Sequence, residues 1–409
     1  MHKIERLLHT LAPKGVEFRK LGEVINILKG KQLNKELLLD YGEYPVMNGG
    51  IHASGYWNEY NTDYPKIIIS QGGASAGYVN YMTSKFWAGA HCYAIELNSE
   101  KLNYKFLYYF LKNSQTILMK SQFGAGIPAL NKADIETLTI PIPPLEIQQE
   151  IVKILDAFTE LNTELNTELK ARKKQYQYYQ NMLLDFNDIN QNHQDAKERL
   201  AQKTYPKRLK SLLHTLAPKG VEFRKLGEVL EYDQPNKYCV TGKEFDKSYP
   251  TPVLTAGKTF ILGYTNEKDN IYQASKSSPV IIFDDFTTAT QWVDFPFKVK
   301  SSAMKILLPK NPTINIRFIF FYMQTIPYNI SGEHTRQWIS RYSKITIPIP
   351  PLEIQQEIVK ILDQFSILTT DLLAGIPAEI EARKKQYEYY REKLLSFKPL
   401  TPHKEVKKC

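Results

Sequence analysis

Seventeen consecutive residues, IPIPPLEIQQEIVKILD, occur twice without a change, at Ile140–Asp156 and at Ile347–Asp363. Two more blocks repeat in the same order: LLHTLAPKGVEFRKLGEV at Leu7–Val24 and Leu212–Val229, and ARKKQYQYY at Ala171–Tyr179 against ARKKQYEYY at Ala382–Tyr390. The copies lie 205, 207 and 211 residues apart, a tandem duplication that gained two residues in its middle and four more towards its end. Such a chain is constrained to fold as two versions of one plan. Between the matched ends lie Ile25–Thr139 and Leu230–Thr346, 115 and 117 residues with little visible similarity. Preserved ends and diverged middles imply one task performed twice and two unlike tasks performed once each.

Each middle reads as a mixed α/β domain. Short β-branched and aromatic runs (KIIIS at Lys66–Ser70, GYVNYM at Gly77–Met82, PVIIF at Pro279–Phe283, AMKILL at Ala303–Leu308) alternate with Gly, Asn, Asp and Pro. Late in each domain an aromatic run, from Asn103 and from Asn315, predicts a buried helix. Pro-Ile-Pro-Pro then forms an extended connector, because proline lacks the amide donor and restrains its predecessor.

After each connector, apolar residues recur at intervals of three and four. Leu145, Ile151, Leu155, Phe158, Leu165, Tyr176, Tyr179 and Leu183 mark the first helix, and Ile358, Leu362, Phe365, Ile380, Tyr387, Tyr390 and Leu394 the second. The first helix would be on the order of 60 Å long. A single narrow stripe on so long a rod needs a partner, and the other copy supplies one as an antiparallel coiled coil with a pseudo-twofold relation. The alternative is two helices packed separately on their own domains. Gly375 and Pro377 interrupt the second pattern, which predicts a kink, or a stop at Ala374 with Pro377 in the first turn of a new helix. The divisions expected are a first variable domain over 1–142, a central helix over 143–186, a connector over 187–211, a second variable domain over 212–349, a second helix over 350–397 and a basic tail over 398–409.

The net charge of +10 favours a polyanionic partner. No apolar run is long enough to cross a membrane and the N-terminus has charges where a secretory signal needs an apolar stretch, so a cytoplasmic protein is expected. Cys92, Cys239 and Cys409 are far apart and suggest neither a disulfide framework nor a metal site. Unlike domains held at a fixed spacing suit two separated patches on one extended ligand, and for a basic chain this suggests duplex DNA.

These features resemble the specificity subunit of type I restriction-modification systems. The resemblance rests on the repeated Pro-Lys-Gly-Val-Glu-Phe (Pro13–Phe18, Pro218–Phe223), on Pro-Pro-Leu-Glu-Ile-Gln (Pro143–Gln148, Pro350–Gln355) at each helix start, and on their order along nearly the whole chain. It implies an α+β protein: two mixed α/β target-recognition domains separated by two long antiparallel helices. It also implies a chain without catalytic activity that reads a bipartite, asymmetric DNA target and docks two methyltransferase subunits and two restriction subunits. S-adenosylmethionine, ATP and Mg would be used by those partners and none bound by this chain. The four-residue repeat TELNTELNTEL at Thr159–Leu169 has the form by which that family sets the gap between half-sites.

Polar and cationic residues in the loops of the first domain supply reach towards base edges and phosphates: Asn48, His52, Gln71, Ser75, Tyr78, Lys85 and His91. In the second they are Lys258, Thr287, Thr288, Gln291, Lys298, Lys300, Ser301, His334, Arg336 and Arg341. For partner docking the candidates are the residues presented twice, Glu146, Gln148 and Gln149 with Glu353, Gln355 and Gln356. SQGGASAGYVNY at Ser70–Tyr81 lacks the ending of a phosphate-binding loop and reads as a hairpin turn. FGAGIP at Phe123–Pro128 superficially resembles a methyl-donor loop, but no Asn-Pro-Pro-Tyr or Asp-Pro-Pro-Tyr occurs to orient an adenine. It reads as a loop touching the DNA backbone, and no catalytic site is assigned. Asp284 and Asp285 lack a nuclease partner motif and read as turn formers, or one of them as the acceptor of a hydrogen bond from cytosine. Two other readings share these residues: a coiled-coil adaptor whose domains bind proteins, and part of a related methyltransferase or nuclease system.

Overall fold

The computed structural model describes residues 2–124, 126–186, 204–255, 259–327, 335–370 and 375–400. The chain divides into two compact units, Met1–Asn166 with Glu379–Cys409, and Thr167–Ala378. Each holds one diverged domain and portions of both long helical segments.

In the first unit, helix α1 (His2–Leu11) leads to strand β1 (Glu17–Lys20), which pairs antiparallel with β9 (Thr139–Ile142) in the register Glu17 to Ile142. This ribbon is where the domain starts and ends. Between its strands, β2 (Ile25–Lys29), β8 (Cys92–Leu97), β5 (Lys66–Ser70) and β6 (Val79–Met82) form an antiparallel sheet in that order. A second sheet orders β4 (Gly55–Trp57), β3 (Tyr44–Met47) and β7 (Trp87–Ala88), the β3–β7 pair being parallel. The central strands are buried on both faces, which is why Ile67, Ile68 and Ile69 form an unbroken apolar run. The aromatic run is helix α2 (Tyr104–Asn113), followed by α3 (Gln115–Lys120) and α4 (Lys132–Glu136). Phe106, Leu107 and Leu111 of α2 join Ile67, Ile95, Ile147, Ile151 and Leu155 in one core.

The second unit repeats this plan although its middle sequence has diverged. Helix α6 (Lys207–Leu216) precedes β10 (Glu222–Lys225), which pairs with β18 (Thr346–Ile349) in the matching register, Glu222 to Ile349. The short helix α7 (Leu226–Val229) leads to a sheet ordered β11 (Leu230–Asp233), β17 (Met304–Pro309), β14 (Val280–Asp284) and β15 (Thr290–Val293). The three-stranded sheet is β13 (Ile261–Thr265), β12 (Thr251–Leu254) and β16 (Lys298–Val299), again with one parallel pair. Helix α8 (Ile316–Met323) is the counterpart of α2, and α9 (Gln337–Ser340) lies before β18.

Helix α5 (Leu145–Leu184) begins directly after Pro143–Pro144. The second copy is two helices, α10 (Leu352–Thr370) and α11 (Ile376–Leu395), with Pro377 in the first turn of α11 as the sequence predicts for a restart. In the first unit Phe158 of α5 stacks on Tyr390 of α11, centroids 5.5 Å apart at 27°. In the second, Tyr179 of α5 stacks on Phe365 of α10 at 5.0 Å and 23°. Phe158 and Phe365 are duplicates of one another, as are Tyr179 and Tyr390, so one contact is made twice with its roles exchanged. Within each unit α5 thus packs on a helix of the second copy, which decides against separately packed helices. The expected helix stop at Ala374, most of the connector and the tail beyond Leu400 lie outside the described residues.

Candidate nucleic-acid interface

In the first unit four loops converge at one end of the sheets. Ser70, the last residue of β5, and Ser75 both donate through their hydroxyls to the Gly49 carbonyl, Ser75 at 2.7 Å. The amide of His91 donates to Asn48 Oδ1 at 3.2 Å, and the Asn80 side chain donates to the Ile51 carbonyl at 3.1 Å. Main-chain bonds from Gln71 to His91 (2.9 Å), from Gly73 to Pro128 (2.8 Å) and from Leu130 to Gln71 (2.8 Å) bind in the segment that returns to the frame. This approach requires glycine at 49: its φ is +84°, and a Cβ there would stand 3.0 Å from the His91 Cβ and 3.2 Å from the Gly72 carbonyl oxygen.

Asn48, His52, Gln71, Ser75 and His91 are thereby brought together, with His52 and His91 exposed. Gln71 Oε1 is buried without a hydrogen-bond partner. Tyr78 instead lies beneath the Lys112 ammonium, 4.0 Å from its ring centroid. Val79's carbonyl and Gln115 accept from Lys112, and burial lowers that lysine to about 8. Lys85 is also apart from the cluster, donating to Tyr60 Oη at 2.7 Å and lying 3.7 Å from Asp63. Sequence reasoning missed the exposed apolar side chains of this end, Ile51, Phe123 and Ile127, the last 77% exposed. FGAGIP gave the only signal: an isoleucine at the tip of a glycine-flanked turn has little core to enter.

The second unit closes the same end with other chemistry. Asp284 accepts from the amides of Phe286 (2.9 Å) and Thr287 (3.2 Å) and from the Thr287 hydroxyl (2.6 Å), shaping the β14–β15 turn as the sequence predicts. Asp285 is fully buried. Its carbonyl accepts from the Gln337 amide and its Oδ1 from the Trp338 amide, both at 2.8 Å, while the Lys305 ammonium stands 3.6 Å from Oδ2. Asp285 occupies the place of Gln71, and each ties down its returning segment through the main-chain carbonyl. Thr287, Gln291, Lys300, Ser301, Arg336 and Arg341 are exposed around these loops. Thr288 takes a left-handed φ of +60° in the turn, its hydroxyl donating to the Thr287 carbonyl. Lys258 and His334 fall outside the described residues.

Three candidates need correction. Lys298 is 1% exposed and is held by Glu267 at 2.7 Å and by the Asp269 carbonyl at 2.9 Å, so it stabilises the domain from inside and reaches no DNA. Its ammonium and the amides of Gly242 and Thr241 draw the Glu267 carboxyl down to about 2. Gln148 and Gln355 are 0% exposed and cannot form a docking surface. Their neighbours Glu146, Gln149, Glu353 and Gln356 are exposed, each pair in equivalent positions. Among the described residues no cluster of His, Cys, Asp or Glu could hold a metal ion, and no helix is long and apolar enough to cross a membrane.

The family model for the type I restriction modification DNA specificity domain matches the chain twice, over residues 13–175 and 218–382. The Escherichia coli type I restriction enzyme EcoR124I/EcoR124II specificity subunit is 55% identical over 188 residues, 44% of this chain and 45% of that one. A putative type I restriction enzyme specificity subunit of Haemophilus influenzae is 31% identical over 407 residues, 93% of this chain and 96% of that one. The crystal structure of a type I restriction-modification S subunit from M. genitalium superposes with a TM-score of 0.66 at 20% identity, covering 93% and 96% of the two chains. That last likeness speaks for the fold.

Proposed function

Since the chain belongs to the type I restriction-modification DNA specificity family, whose role is noncatalytic, we propose that it reads a bipartite, asymmetric duplex target with one loop cluster per unit. It would dock two methyltransferase subunits, and two restriction subunits would complete the nuclease. One observation carries this reading: the same strand order recurs in both units, each time with the residue after the central strand tying down the returning segment, Gln71 to Leu130 and Asp285 to Gln337, while the side chains exposed around it differ among the described residues. Asn48, His52, Gln71 and His91 in one cluster and Thr287, Gln291, Lys300, Ser301, Arg336 and Arg341 in the other would then recognise different half-sites. Ionic contacts would supply affinity, and the amide and hydroxyl groups discrimination. Glu146 and Gln149 with Glu353 and Gln356 present like surfaces twice, as two copies of one partner require. S-adenosylmethionine, ATP and Mg belong in this scheme to the partners.

The test is methylome sequencing of cells expressing this chain with its methyltransferase partner. A two-part methylated motif with a fixed gap is expected. Removing one four-residue repeat from Thr159–Leu169 shortens the helix by about 6 Å, which should change the gap and leave both half-sites as they were. A one-part motif, or a gap indifferent to the deletion, refutes the proposal. A protein-binding adaptor would give no methylation pattern of its own.

A further inference from the structure

Resting on that reading and deepening it, we propose that Gln148 and Gln355, with Asp156 and Asp363, are positioning residues that fix the angle of each recognition domain on its rod helix. Gln148 Oε1 accepts from the Asn103 amide at 2.7 Å, and its Nε2 donates to the Lys101 carbonyl at 2.8 Å and the Pro143 carbonyl at 2.7 Å. Gln355 repeats the set: it accepts from the Asn315 amide at 2.8 Å and donates to the Thr313 carbonyl at 3.1 Å and the Pro350 carbonyl at 2.7 Å. Both amide protons and one acceptor site are engaged on backbone, two of the three bonds in the domain and the third in the proline connector.

The residue grasped is in each case the N-cap of the aromatic helix. Asn103 accepts from the amides of Lys105 and Phe106, and Asn315 from those of Arg317 and Phe318. Eight residues along the same face of the rod a second grip follows. Asp156 accepts from the Tyr109 hydroxyl at 2.5 Å and from the Lys105 ammonium at 2.8 Å. Asp363 accepts from both Nε and Nη2 of Arg317 at 2.8 Å. The domain side has changed, since Phe321 stands where Tyr109 would be and one arginine replaces a lysine and a hydroxyl. The rod side has not. One grip would locate α2 or α8, and two grips along its length also fix its direction.

A buried apolar residue would fill the place of Gln148 without the cost of desolvating an amide. A fully satisfied polar group specifies one geometry where an apolar contact tolerates several. This accounts for identity at Gln148 and Gln355, fully buried positions that no partner can touch. For two domains that must engage one duplex together, a tilt at either would alter the distance and phase between half-sites.

The experiment is the methylome of cells carrying the chain and its methyltransferase partner, comparing wild type with Gln148→Leu, Gln355→Leu and Asp156→Asn. Expected are unchanged half-site sequences, with methylation at gaps one base pair longer or shorter rising about tenfold, the ratio one lost hydrogen bond accounts for. A single unchanged gap in the leucine variants overturns the proposal, as does a uniform loss of methylation at all sites. If the leucine variants do not assemble, Asp156→Asn decides by the same readout. A wild type without a two-part motif refutes the functional reading instead, and amide exchange then judges the clamp. Faster exchange along all of Tyr104–Asn113 in Gln148→Leu supports it, and a change confined to Asn103 overturns it.

Discussion

Asp285→Asn tests what holds the second loop cluster together. The carboxylate is the charged neighbour of Lys305, whose side chain is 2% exposed and which otherwise donates to Gln234 Oε1. Burial already lowers the Lys305 pKa. An asparagine can still accept from the Trp338 amide through its oxygen, so the variant removes the charge and little else. Leaving a buried ammonium unpaired costs about 3–5 kcal/mol. For a unit of this size that is a fall in melting temperature of ~6–20 °C. Trp338 stacks on Tyr342 and meets Phe283 edge-on, so the loss should spread to the segment carrying Arg336 and Arg341. The assays are calorimetry of the full chain and hydrogen exchange across Gln337–Lys344. Adding Lys305→Met removes the stranded charge, and the double variant should regain most of the lost stability. A drop below about 1 °C in the single variant, or a double variant no better than the single, refutes the reasoning.

Glu267→Gln should flatten the acid limb of stability. The wild-type carboxyl is more acidic folded than unfolded, so its stabilisation is complete above about pH 4.5 and is lost as pH falls through about 2. Melting temperatures measured across that range should converge between wild type and variant at the acid end, and parallel curves would exclude the Glu267–Lys298 pair as the cause. Ile127→Asp should leave the melting temperature within about 1–2 °C, since the side chain is already exposed, yet lower affinity of the assembled complex for its target duplex about tenfold. Fluorescence anisotropy with a cognate and a scrambled duplex separates the two effects, and unchanged affinity would remove this turn from the interface.

The frame was legible because its signals are periodic and duplicated. Two helical stripes, two proline connectors and two aromatic helices fall where spacing puts them, and Gly375-Ile376-Pro377 marks a true interruption. The equivalence of the two middles was not legible. A strand demands only apolar alternation or an apolar run, and Lys66–Ser70 and Val280–Asp284 meet that demand with different residues. The candidate interface was half readable. Loop position can be inferred from glycine and turn residues, whereas Lys298 and Gln148 are ordinary surface residues by type, and only tertiary hydrogen bonding shows them buried. Ile127 was half visible: FGAGIP reads as a loop, but an isoleucine by type carries no sign that it faces solvent.

Each recognition domain leaves and rejoins the frame through one antiparallel ribbon, Glu17–Lys20 with Thr139–Ile142 and Glu222–Lys225 with Thr346–Ile349. Its two chain ends therefore meet at a single doorway of fixed dimensions. Whatever is inherited between them can drift, lengthen or be traded at the level of the gene without redesigning the scaffold. Natural selection for new targets and for unaltered assembly can thus act on separate stretches of one polypeptide.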